Sequence, residues 1–284
     1  DIARVIQANL RNSGLFRPVD RQAFIQTAEA AAQTPRFQDW RVIGAQALVT
    51  GRVVEQGGQL RVEFRLWDVL PETQLQGTAF TAPAANWRRI AHLISDVIYE
   101  RLLGEKGYFD TRVVYVSETG PRDRRVRRLA IMDQDGENHR FLTDGRFAAL
   151  TPRFHPSAER IAFMSYRDRG QPQVVLFDIN SGSQQALGNF PGMTLSPRFS
   201  PDGRSVVLSA TRGGDANIFI VDLGSRRERQ LTSGGGLDVS PCFSPDGTQI
   251  VFNSDRGGDQ QLYVMDAGGG NVRRISFGNG RYAT

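Results

Sequence analysis

One cysteine, Cys242, one lysine, Lys106, and three histidines are all that this chain of 284 residues offers of those types. A single thiol excludes an intramolecular disulfide and any thiolate metal site. It sits beside Pro241 and next to Phe243 in a strand-like stretch, which reads as a buried, inert thiol. No apolar run reaches the ~18 residues that a membrane-crossing helix needs. His92, His139 and His155 stand far apart, with no HExxH or similar ligand spacing. A GxSxG elbow and a GxxxxGK phosphate loop are both missing, and "GGGLDVS" and "GGGNVRR" lack the strand-to-helix setting of a dinucleotide site. Nucleophile, base and oxyanion donors do not assemble. The reading therefore assigns no catalytic residue, no metal ligand and no cofactor, and leaves binding as the function class.

The shortage of lysine bears on the charge. The net charge is +5 and the pI about 9.8, which raises the question of nucleic acid. Nearly every basic residue is arginine, a uniform bias and not a local design. One dense cluster exists, Arg122, Arg124, Arg125, Arg127 and Arg128. No aromatic residues are interleaved with it to stack bases, so it reads as a solvated hairpin and no nucleic-acid partner is assigned.

What is present is a repeat. "RLAIMD", "VVLFD", "IFIVD" and "LYVMD" end at Asp133, Asp178, Asp222 and Asp266, spaced by 45, 44 and 44 residues. Nineteen residues after each of the first three comes a proline, Pro152, Pro197 or Pro241. Strand-like repeats of this period indicate a β-propeller. "SPDG" at Ser200–Gly203 and Ser244–Gly247 carries the residues of a type I turn, with "SVVLSA" and "QIVFNS" as the strands that follow. "RGGD" at Arg212–Asp215 and Arg256–Asp259 makes the next hairpin turn. Each repeat is then a four-stranded meander, and near-continuous apolar strands imply burial on both faces. The aspartates recur once per blade, whereas a catalytic carboxylate is needed once. They, with Asp202 and Asp246, read as turn or strand-end devices.

Residues 1–106 do not repeat. Ile2, Val5, Ile6 and Leu10 share a helical face that Gly14 ends. "AQALVTGRVVEQ" and "QLRVEFRLWDV" flank Gly57–Gly58 as a hairpin, and "TQLQGTAFTA" offers a third strand. Asn86 is placed to cap a helix whose apolar stripe is Ile90, Leu93, Ile94, Val97, Ile98 and Leu102, with His92, Arg88, Arg89 and Asp96 on its polar side. The expected fold is an α/β domain over 1–106 followed by an all-β propeller over 107–284. Its blades fall at about 111–150, 151–195, 196–239 and 240–284. The first blade lacks an inner strand, and the chain stops just before the proline that would open another. It reads as part of a longer protein of six or more blades, with a processed or trimmed start at Asp1.

"ANLRNSGLFRPVDR", "GAQALVTGRVV", "YERLLGEKGYFDTRVVYV" and the "SPDG" blades, in this order, resemble the TolB family of the Tol–Pal system in Gram-negative bacteria. The resemblance covers essentially the whole chain. It implies a six-bladed propeller behind an α/β domain and a periplasmic, non-enzymatic scaffold that binds the peptidoglycan-associated lipoprotein Pal at the propeller mouth. It also implies a TolA contact through a segment preceding Asp1, a part in outer-membrane integrity and in constriction during division, and exploitation by colicins. A calcium ion in the propeller channel is implied only by the resemblance, and the membrane is reached only through partners. The positions matching the family's mouth are Phe147, Leu150, Thr151, Met193, Thr194, Leu195, Ser196, Leu237, Asp238, Val239, Ser240, Arg281 and Tyr282. The competing reading is the gating propeller of a prolyl-oligopeptidase-like serine peptidase, whose hydrolase part would follow Thr284.

Overall fold

The computed structural model describes residues 1–168, 171–188, 190, 192–234, 236–278 and 280, and the side chain of residue 168 is left undescribed. The chain divides into two compact units, one of residues 1–112 with 133–137 and one of residues 113–132 with 138–284.

The first unit begins with α1 (Ile2–Asn12), two short helices α2 (Ala28–Gln33) and α3 (Phe37–Val42), and an antiparallel sheet of β1 (Ala47–Gln56), β2 (Gln59–Asp68) and β3 (Thr73–Pro83). Helix α4 (Trp87–Leu103) follows. Period-2 alternation turns Val62, Phe64 and Leu66 of β2 toward Ile90, Ile94 and Ile98 of α4, with Leu10 and Phe109 completing that core. Of the expected stripe of α4, Ile90, Ile94 and Ile98 are buried, Val97 and Leu102 pack partly buried against the same core, and Leu93 is half-buried. Gly104 ends the helix at φ 76°, its N–H bonding to Glu100 O at 2.8 Å.

Two expectations need correction in this unit, and two short helices have no sequence signal. Asn86 precedes α4 but makes no side-chain cap bond, because Ala84–Asn86 is itself a 3₁₀ turn. His92 lies among polar residues yet is 2% exposed, covered by Asn9 of α1. Helices α2 and α3, of six residues each, are too short to show a periodicity. The buried Gln26 side chain ties them together, accepting from Arg36 N at 2.9 Å and donating to Thr34 O at 2.8 Å.

The second unit holds four antiparallel meanders. The first is β4 (Arg112–Thr119), β5 (Val126–Asp133) and β6 (Arg140–Phe141). The second is β7 (Ala149–Phe154), β8 (Arg160–Asp168), β9 (Gln171–Asp178) and β10 (Gln184–Ala186). The third is β11 (Thr194–Phe199), β12 (Ser205–Arg212), β13 (Asp215–Asp222) and β14 (Glu228–Gln230). The fourth is β15 (Val239–Phe243), β16 (Gln249–Ser254), β17 (Gln261–Asp266) and β18 (Arg273–Arg274). Among the described residues the first sheet consists of β4, β5 and β6 alone.

Alternate residues of each central strand serve opposite neighbours. Ile161, Phe163, Val175 and Phe177 pack on Leu129 and Ile131 of the first sheet. Ala162, Val174 and Leu176 pack on Val206, Leu208, Phe219 and Val221 of the third. Val207 and Ile218 pack on Ile250, Phe252, Tyr263 and Met265 of the fourth. Burial on both faces is thus blade stacking of the β-propeller kind. Among the described residues no such core joins the fourth sheet to the first, and the ring is not closed.

The recurring prolines mark a backbone device. Thr151, Ser196 and Ser240 take φ values of 46°, 52° and 55°, each directly before Pro152, Pro197 or Pro241. At each of these places the pairing with the next strand shifts register, between Leu150 and Arg153, Leu195 and Arg198, and Val239 and Cys242. A bulge uses a residue with left-handed backbone and tolerates a proline that cannot donate to the ladder.

Candidate functional site

Of the mouth positions named from the sequence, Phe147, Met193, Leu237 and Asp238 lie on the connections entering β7, β11 and β15, and Leu150, Thr194, Leu195 and Val239 lie within those strands. Each connection presents one large apolar side chain to solvent: Phe147 is 36% exposed, Met193 48% and Leu237 45%. Arg146 lies over the Phe147 ring at 5.5 Å. Leu150, Leu195, Ser196, Val239 and Ser240 are half-buried and Thr151 is exposed. Thr151, Ser196 and Ser240 lie inside strands, at the bulges, and not in the entering loops. Arg281 and Tyr282 fall outside the described residues.

Two of the named residues are buried and act as anchors. Thr194 Oγ1 donates to Pro172 O at 2.9 Å. Asp238 is 4% exposed; its Oδ2 accepts from Arg256 Nη2 at 2.8 Å and its N–H bonds to Ala216 O at 2.8 Å. Arg256 in turn stacks over Phe252 and Tyr263, at 5.4 and 5.3 Å. Leu237 N donates to Asp255 Oδ1 at 2.7 Å. The exposed tips Met193 and Leu237 are thus held on connections fixed by polar bonds beneath them.

Behind the bulges, equivalent positions of the three innermost strands carry Arg153, Arg198 and Cys242. Burial lowers the Arg198 pKa first, with the like charge of Arg153 second, while the Cys242 thiol opposes both. Cys242 is exposed, which corrects the expectation of a buried thiol: the bulge after Val239 shifts the register and sends this side chain outward while Pro241 turns in.

The recurrent aspartates close turns. Asp202 Oδ1 accepts from Ser200 Oγ at 2.5 Å and Arg204 N at 3.0 Å; Asp246 Oδ1 accepts from Ser244 Oγ at 2.5 Å and Thr248 N at 3.0 Å. The serine hydroxyls are the first cause of the lowered pKa of both carboxyls. Asp178 and Asp222 accept from the N–H groups of Ser181 and Ser225, at 2.9 and 2.7 Å, and these bonds lower their pKa values. His155 replaces the turn serine in the second blade, its Nδ1 accepting from Ser157 N and Ala158 N at 3.1 and 2.9 Å while Nε2 meets Gly203 O at 2.9 Å.

The arginine cluster of the first hairpin is largely solvated, with Arg125 and Arg127 sharing Glu118 at 3.4 and 3.0 Å. Among the described residues one group of metal-ligand type converges, His92 with Asp133 and Asp135, all within the first unit. Sequence reasoning missed it, since His92 stands 41 residues before Asp133 in the chain. A signal was available: Asp135 stands where the other repeats have Asn180, Gly224 and Gly268.

Comparison with known proteins covers both units. Residues 99–284 match the family model described as the TolB beta propeller domain, and residues 1–75 match the TolB amino-terminal domain. The Tol-Pal system protein TolB of Gluconobacter oxydans (strain 621H) is 57% identical over 217 residues, covering 76% of this chain and 46% of that protein. The chain thus spans less than half the length of this curated relative. The crystal structure of TolB from Acinetobacter baumannii is similar at a TM-score of 0.85 and 31% identity, over 97% of this chain and 68% of that one.

Proposed function

The chain belongs to the TolB family, and from that premise we propose that it serves as a non-enzymatic periplasmic scaffold of the Tol–Pal system. In this reading the connections entering the inner strands bind the lipoprotein Pal, and the complex maintains the outer membrane and its constriction at division. A segment preceding Asp1 would engage TolA. The observation that carries the reading is the trio Phe147, Met193 and Leu237, exposed at corresponding connections of successive blades. Solvent-exposed apolar groups on a pre-formed backbone suit recognition of another polypeptide, because little ordering is left to oppose association. The peptidase alternative is not favoured, since residues 1–75 match an amino-terminal domain of the scaffold family. Calorimetric titration of the full-length protein with the purified soluble domain of Pal tests the proposal. Saturable binding at micromolar or lower concentration is expected; no heat of binding up to ~100 µM would reject it.

A further inference from the structure

We propose that His92, Asp133 and Asp135 form a site for one divalent transition-metal ion of the zinc type, within the first unit. His92 is 2% exposed, and its Nε2 has no hydrogen-bond partner. That atom points between two carboxylates, 3.8 Å from Asp133 Oδ2 and 3.7 Å from Asp135 Oδ2. These separations are too long for hydrogen bonds. They suit donors around a shared ion, since ligands bound at ~2.0–2.2 Å sit roughly 3.3–4.2 Å from one another.

The surroundings hold His92 and Asp135 in place. Asn9 Nδ2 lies 2.9 Å from His92 Nδ1 and donates to Ser95 Oγ at 3.0 Å, and Gln134 Nε2 donates to Asn9 Oδ1 at 3.2 Å. Loading an ion on Nε2 moves the ring proton to Nδ1. A half-turn of the Asn9 amide then presents its oxygen to that proton, and the Gln134 amide turns with it. Asp135 Oδ1 accepts from Glu137 N at 3.2 Å, and its Oδ2 from Arg88 Nη2 at 2.5 Å. Second partners of this kind orient carboxylate ligands.

The repeat shows that this arrangement is particular to the first blade. Asp178 and Asp222 meet a serine three residues on, and Asp133 and Asp266 meet Gly136 and Gly269 there, so the serine alone does not set the first blade apart. The second carboxylate, Asp135, has no acidic counterpart in the other repeats. The proposal is independent of the binding role of the second unit.

The test uses the full-length protein after chelator treatment, titrated with zinc chloride and, separately, cobalt chloride. The expected results are one high-affinity equivalent, a cobalt absorption band of four- or five-coordinate intensity, and a zinc-induced shift of the His92 Nε2 nitrogen resonance. Asp133→Asn and Asp135→Asn should each weaken zinc binding at least ten-fold. If either variant fails to fold, the His92 resonance of the wild type decides alone. A His92 resonance that does not respond to zinc overturns the proposal. So does zinc binding that both folded variants retain unchanged.

Discussion

Asp238 and Arg256 form a 2.8 Å ion pair beneath the connection that enters the fourth sheet, with the Asp238 side chain 6% exposed and the Arg256 side chain 27%. The pair lies one residue from exposed Leu237, so it couples the packing of the blade to the posture of an apolar tip. Asp238→Asn keeps the shape and removes the charge. Loss of a charge-assisted bond here should destabilise the chain by about 1–3 kcal/mol, read as a lower denaturant midpoint at unchanged slope.

Acid should act on the turns. The carboxyls of Asp202 and Asp246 have lowered pKa values in the fold, first through Ser200 and Ser244. A depressed folded-state pKa gives stability that is present above the unfolded carboxylate value, about 4, and is lost as pH falls through the folded value. Replacing both serines by alanine should therefore move the acid-unfolding midpoint to higher pH and lower the neutral-to-alkaline limb while leaving it flat. Circular dichroism across pH 2–8 reads both limbs.

Gly107 is required by a close approach. A Cβ there would lie 2.4 Å from Asp96 Cα, while the Asp96 carboxylate accepts from Phe109 N at 2.6 Å and Asp110 N at 3.0 Å. Gly107→Ala should cost about 1–3 kcal/mol as an overpacked contact. The segment carrying buried Phe109 should also become more susceptible to proteolysis, which limited digestion and mass spectrometry would locate.

Much of this architecture was legible in the sequence because strands and helices bury side chains at fixed periods. The Asp133, Asp178, Asp222 and Asp266 spacing gave the four sheets, and Ile90, Ile94 and Ile98 gave the buried face of α4. Misreadings arose where tertiary contacts decide. His92 is buried by Asn9, 83 residues away in sequence. Cys242 is turned outward by a bulge, whose trace in the sequence is only a serine before a proline. The candidate mouth was found by its place before each inner strand. Periodicity could not tell which members anchor, as Thr194 and Asp238 do, and which face solvent, as Met193 and Leu237 do.

The proposed binding role rests on the apolar tips at the entering connections. The most direct measurement is the affinity of the full-length protein for soluble Pal with Phe147, Met193 and Leu237 changed together to aspartate, with the fold verified by circular dichroism. The account predicts at least a hundred-fold weaker binding, since desolvated apolar anchors dominate such interfaces at about 1 kcal/mol or more each. Wild-type affinity in the folded triple variant would contradict it.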